Sequence, residues 1–246
     1  MGQILAVTSG KGGTGKTTLS AAIGSCLAAE GKRVLCIDAD IGLRNLDISL
    51  GMADLATISF TDVMNGRYTL DSATAQPQIP GLFLLTAPSA LRAEQIKLED
   101  FGLLLDEVRK RFDYCIIDAP AGLGEGFLLA VTHADRVLVV TAPDPASMRD
   151  AAGAADRLTL LGKTDLRLIV NRITPKLFRS MRLTVDDVMD EVGLPLIGIV
   201  PEDPNVMLAA ARNTPLVLYS DQGAAVAALH IARRLDGKKV RLMRFR

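Results

Sequence analysis

The 246-residue chain has no tryptophan, two histidines, three cysteines and no net charge. Each shortage excludes something. Cys26, Cys36 and Cys115 form no C-x-x-C pair and show no metal-ligand spacing. That removes a disulfide scaffold and a cysteine-held cluster carrier. They read instead as small buried hydrophobes in a reducing compartment. His133 and His230 have no ligand residues near them in sequence and are expected to be ordinary helix residues. A balanced charge leaves no whole-molecule field to attract nucleic acid or membrane, so any such attraction has to be local. No apolar run reaches the ~20 residues that span a bilayer. No leader is expected ahead of Gly10, and Ala6 stands where a myristoylation pattern wants Ser or Thr. The expected location is cytoplasmic, with any membrane contact peripheral.

What is present begins at Gly10-Lys11-Gly12-Gly13-Thr14-Gly15-Lys16-Thr17-Thr18. The stretch follows a strand-like run (Ile4 to Thr8) and opens into a helix-like one (Leu19 to Glu30). Its spacing is that of a phosphate-binding loop, G-x-x-x-x-G-K-[ST]. Glycines let the backbone curl so that several N–H groups converge on one anion, and the following helix adds its positive end. Lys16 is expected to reach the outer phosphates and Thr17 to offer a hydroxyl to magnesium. A ligand-free Gly-rich turn is the bland alternative, and the fit at every position of the motif, with the right flanks, disfavours it. Lys11 is a second lysine, at the front of the loop, placed to reach elsewhere.

Apolar runs at 33–38, 82–86, 114–118, 137–141, 166–170 and 196–200 read as strands, without the alternation of a one-sided sheet. Helical spacing is found over 60–65, 91–111, 124–133, 146–161, 184–192, 205–212 and 221–235. Alternating strands and helices predict an α/β fold, a mostly parallel twisted sheet with helices on both faces. Such a sheet puts its chemistry at the carboxyl ends of the strands. Asp38, Asp40 and Asp118 lie at such ends, where a lone Asp is usually a turn former and three facing a nucleotide are better explained by magnesium and water.

The loop Lys11 to Thr18, with Gly42-Leu43-Arg44-Asn45-Leu46-Asp47 and Asp118-Ala119-Pro120-Ala121-Gly122, resembles the MinD/ParA family of deviant Walker A P-loop ATPases (SIMIBI-type). Met148-Arg149-Asp150, Asn171-Arg172 and Pro201-Glu202-Asp203 extend the likeness to about residue 235. The resemblance implies a P-loop ATPase domain over 1–236 that binds ATP or ADP with Mg²⁺ and hydrolyses ATP slowly until a partner stimulates it. It implies that Gly12, Gly13, Thr14, Gly15, Lys16, Thr17 and Thr18 bind the phosphates. Thr17 would meet magnesium, with Asp38 and Asp118 holding its waters, and Asp40 would orient the attacking water. Lys11 would cross to a second subunit in an ATP-bound homodimer. Asn171 and Asp203, with Arg172, Pro201 and Glu202, would form the adenine site. Asp38, Asp40, Asn45, Asp118 and Gly122 would be the switch residues, Gly122 as the hinge that senses the γ-phosphate. Expected partners are division-inhibitor and ATPase-activator proteins. A DNA-partitioning ATPase and a flagellar-number regulator are the alternatives within the family.

From Arg233 to Arg246 there are seven Lys or Arg and one Asp. Residues 237–246 read as a basic amphipathic tail for an anionic membrane surface, with Val240, Leu242, Met243 and Phe245 as wedges. A plain solvated basic end is the simpler alternative. A second basic stretch, Lys163 to Arg182, reads as a solvated face that could touch DNA phosphates, although DNA is the disfavoured partner. Arg149 and Asp150 are either part of a partner surface or an ordinary surface pair.

Overall fold

The computed structural model describes residues 1–89 and 91–243. Eight strands form one sheet: β1 (Gln3–Thr8), β2 (Val34–Asp38), β3 (Thr74–Ala75), β4 (Leu82–Leu85), β5 (Tyr114–Asp118), β6 (Arg136–Thr141), β7 (Leu166–Ile173) and β8 (Leu196–Pro201). Their order across the sheet is β3-β4-β2-β5-β1-β6-β7-β8. All neighbours are parallel except the two-residue β3, which pairs antiparallel with β4. The expected α/β architecture is therefore present.

The helices among the described residues are α1 (Lys16–Ala29), α2 (Leu46–Ser49), α3 (Phe60–Met64), α4 (Leu98–Arg111), α5 (Glu125–Val131), α6 (Pro145–Leu160), α7 (Pro175–Ser180), α8 (Val185–Val192), α9 (Asn205–Ala211), α10 (Leu216–Tyr219) and α11 (Gly223–Leu235). Successive strand residues point to opposite faces, and two cores result. Ile4, Ala6, Leu35, Ile37, Cys115 and Ile117 pack against Phe60, Phe101, Phe127, Leu158 and Val188 of α3, α4, α5, α6 and α8. Leu5, Val7, Val34, Cys36 and Ile116 pack against Leu19, Ile23, Leu27, Ala228 and Ile231 of α1 and α11. Burying both faces is why these strands read as unbroken apolar runs. All three cysteines are buried and unpaired in these cores.

The order places the site. From β1 the chain crosses to β2 on one side, and from β5 it crosses to β6 on the other. The carboxyl end of β1 is thus the reversal point of the sheet, where a parallel α/β fold opens its ligand crevice. The loop after β1 occupies that point.

The described part of the carboxyl-terminal segment lies along the body of the protein. Helix α11 stops at Leu235, Gly237 takes a left-handed conformation (φ +79°), and residues 239–243 are not helical. The Arg234 guanidinium donates to the carbonyls of Ile197 (2.8 Å), Val240 (3.1 Å) and Arg241 (2.7 Å), so the tail is strapped to β8. Lys238 pairs with Glu30 and Asp236. Met243 packs back against the cores, and Val240 is only half exposed, leaving Leu242 exposed. Phe245 lies outside the described residues. No helix among the described residues is long and apolar enough to cross a membrane.

Candidate functional site

Gly13 (φ +80°) and Gly15 (φ +90°) turn the loop between β1 and α1 through left-handed conformations that other residues resist. A Cβ on Gly15 would lie 2.3 Å from Nδ2 of Asn171. Ser9 closes the start of the loop by donating its hydroxyl to the carbonyl of Lys11 (2.6 Å). Among the described residues, the backbone N–H groups of the seven residues Gly12 to Thr18 have no hydrogen-bond acceptor. The first turn of a helix leaves its N–H groups without intrahelical partners, and with the loop's donors beside them they fit a polyphosphate.

Lys16 lies beneath this run, buried, and no salt bridge engages it among the described residues. Burial pushes its ammonium below the usual lysine range, against the pull of Asp118 and Asp40. An anion in the cleft would relieve that penalty. Lys11, in contrast, is exposed at the mouth of the loop.

Asp38 and Asp118 end β2 and β5 in register with each other, and both are buried. Asp118 accepts the Thr17 hydroxyl on Oδ2 (2.6 Å) and the Ser20 hydroxyl on Oδ1 (2.7 Å). Asp38 accepts backbone N–H groups from Asp40 on Oδ1 (2.9 Å) and Leu46 on Oδ2 (3.2 Å), anchoring the segment that carries Asp40, Arg44 and Asn45. Burial raises both carboxyls, Asp38 to about 6 and Asp118 to about 7, against the hydrogen bonds that favour ionisation. Burial also raises Asp40, and Lys16 opposes the shift. Asn45 is exposed ahead of α2. Gly122 is left-handed (φ +85°) with open space about it, two residues beyond Pro120, and Ala121 approaches Gly12.

No group of three or more His, Cys, Asp and Glu residues is arranged to hold a metal among the described residues. Magnesium rarely needs such a cage, because phosphate oxygens and water complete its shell. The donor set fits it. Thr17 gives its proton to Asp118, which leaves both lone pairs of its oxygen for a cation.

Beside the loop, a pocket is lined by Gly15, Thr18, Asn171, Arg172, Pro201, Glu202 and Asp203, with Leu19, Val206 and Leu216 as its apolar wall. The residues expected at an adenine are therefore gathered next to the phosphate loop. Two of them also carry structural duties that sequence reasoning missed. Asn171, buried at the end of β7, donates from Nδ2 to the Thr14 carbonyl (2.7 Å). Asp203 accepts the N–H groups of Asn205 and Ala224 (2.9 Å each), tying the starts of α9 and α11 to β8. Arg172 (φ +60°) pairs with Glu202 at the rim (3.4 Å).

Ser9 and Ser20 are the other residues that sequence reading passed over. Ser20 had a usable signal, since it is three residues after Thr17 and so shares its helix face. Arg149 is exposed and Asp150 half-buried at the start of α6, with the Asp150 backbone against Gly10.

Comparison with known proteins agrees with this geometry. A family described as an AAA domain matches residues 2–167. The septum site-determining protein MinD of Synechocystis sp. is similar at 38% identity, covering 100% of this chain and 93% of that protein. The MinC:MinD cell division protein complex of Aquifex aeolicus contains a chain of 37% identity and TM-score 0.91, with 99% of each chain covered. The Pyrococcus horikoshii MinD complexed with Mg-ADP aligns at 28% identity and TM-score 0.84, covering 96% of each chain.

Proposed function

The chain belongs to the MinD family of P-loop ATPases, and from that membership we propose that it is an ATP-driven switch that places the division septum. Two copies pair face to face on ATP, attach reversibly to the inner face of the cell membrane, and act through a MinC-like inhibitor and a MinE-like activator. The observation that carries this reading is the contrast in burial between two lysines on one loop. Lys16 is buried under the unpaired N–H run, whereas Lys11 is exposed at the mouth.

Transfer of the γ-phosphoryl group to water needs an in-line nucleophile and cations over the charge that spreads onto the phosphate oxygens. Asp40, held by Asp38 at the edge of the cleft, orients the water and draws its proton. Lys16 and the loop N–H groups neutralise the phosphates on the protein's own side. Thr17 would hold magnesium, which would supply positive charge against the phosphate oxygens. The remaining cation is Lys11 of a second copy. A cation supplied from outside is worth ~10³–10⁵ in rate in comparable NTPases, so an unpaired chain hydrolyses slowly and pairing or an activator sets the rate.

The tail supports only weak attachment of a single chain. Each basic residue at an anionic surface contributes about 1 kcal/mol at most, and here Arg234 and Lys238 are engaged internally. Two tails presented together bind far better than one, which makes ATP the control on membrane residence. Favouring the DNA alternative are Lys176, Arg179 and Arg182, exposed on and after α7.

The deciding experiment is co-sedimentation with anionic liposomes and, separately, with duplex DNA, in ATP and in ADP. Liposome binding that requires ATP is the expected result. Binding to DNA alone would transfer the chain to the partitioning branch.

A further inference from the structure

We propose that Ser20 is the positioning residue that sets magnesium affinity in this cleft, by fixing the Asp118 carboxylate in the orientation that takes the proton of Thr17. The inference rests on the nucleotide-binding reading above and adds a residue to it.

Thr17 and Ser20 lie one turn apart on α1 and clamp one carboxylate between them, Thr17 on Oδ2 and Ser20 on Oδ1. The carbonyl of Lys16, 3.1 Å from Ser20 Oγ, is the competing acceptor for its single proton, and the shorter, charged contact at 2.7 Å favours Asp118. Ser20 is 0% exposed and Asp118 1%. Water has no access to replace a missing donor, and an unsatisfied buried carboxylate oxygen is costly.

A hydroxyl has one proton and two lone pairs. While Asp118 holds the Thr17 proton, Thr17 turns only lone pairs to the cleft, as a cation requires. Without Ser20, nothing pins Oδ1 and the carboxylate is free to rotate away from Thr17. The Thr17 proton then turns toward the cleft and opposes a cation there. Ser20 is too deep to touch phosphate or metal, so its influence passes entirely through Asp118. Outer residues that orient a metal's ligands characteristically alter metal affinity by about 10- to 100-fold.

The test uses the full chain and fluorescent ADP, first in EDTA and then across a Mg²⁺ titration. For Ser20→Ala the Mg²⁺ concentration giving half-maximal tightening rises about tenfold, whereas ADP affinity in EDTA is unchanged. Ser20→Thr, which keeps the hydroxyl, retains the wild-type midpoint. Ser20→Cys, a weaker donor of similar size, gives an intermediate midpoint and serves if the alanine variant does not fold. An unchanged midpoint in Ser20→Ala overturns the proposal. So does an equal loss of affinity with and without Mg²⁺, which would mark Ser20 as scaffolding only. A wild-type chain that binds no ADP in either condition overturns the nucleotide reading itself, and this inference with it.

Discussion

Asp38 and Asp118 stand side by side at the ends of neighbouring parallel strands, each about 1% exposed, so two carboxyls share one dry corner beneath the phosphate loop. Desolvation raises both, to about 6 and about 7. A folded-state pKa above the unfolded value of ~4 means the native state holds more protons between them, so stability falls as pH rises through that window. The nucleotide-free protein is therefore expected to melt lower at pH 8 than at pH 5.5. Replacing either residue by Asn flattens the slope. Thermal melts in EDTA against pH check this, and a slope unaltered in both variants would contradict the assigned shifts.

The two lysines should separate cleanly. Lys16→Ala removes the buried cation and weakens nucleotide binding roughly 10- to 100-fold, as loss of a charge-assisted contact predicts. Lys11→Ala, at an exposed position, leaves stability within about 0.5 kcal/mol and nucleotide affinity intact, yet loses the ATP-dependent dimer. Light scattering with a non-hydrolysable ATP analogue reads the second effect directly.

Asp40→Ala is expected to keep ATP and the dimer while hydrolysis falls by ~10²–10⁴, the scale of a lost general base. Phosphate release measured in single turnover reports it. Normal turnover by this variant would remove Asp40 from the role.

Gly15→Ala puts a Cβ into a left-handed residue and against the Asn171 amide at 2.3 Å. The strain is on the order of 1–3 kcal/mol, and relieving it breaks the Asn171 bond to Thr14. Lower melting together with weaker ADP binding is expected. The same change at Gly153, in helix α6 with no atom within 4 Å of its Cβ, should be harmless or slightly stabilising.

Arg234→Ala takes two carbonyl contacts from the tail, at Val240 and Arg241, and removes the link to Ile197 of β8. Residues 238–243 should become sensitive to limited proteolysis before the rest of the chain unfolds. If the cleavage pattern matches wild type, the strap is not what holds them.

The elements that sequence reading found were those with a local signature. The phosphate loop carries its chemistry within a few consecutive residues, and the strands buried on both faces announce themselves as apolar runs. Helix α8 was legible from Thr184 and Asp187, whose reciprocal capping is present. Helices α2 and α10 have four residues each and β3 only two, too short for a period to show. Helix α7 is a short helix behind Pro175 in a stretch read only as a basic face. Hydrophobic spacing along the tail carries no signal for the Arg234 contacts to Val240 and Arg241 that fix its backbone there.

The sequence by itself determined that a phosphate-loop motif follows the first strand, since its glycines, lysine and threonine are neighbours in the chain. It also placed the acids at strand ends. Only the tertiary structure decided which groups those acids meet. The Thr17 and Ser20 hydroxyls reach Asp118 across 101 and 98 residues of chain, and Asp38 lies beside it because β2 pairs with β5. Strand order is settled by how two buried faces pack as a whole, and no local pattern of residues encodes it.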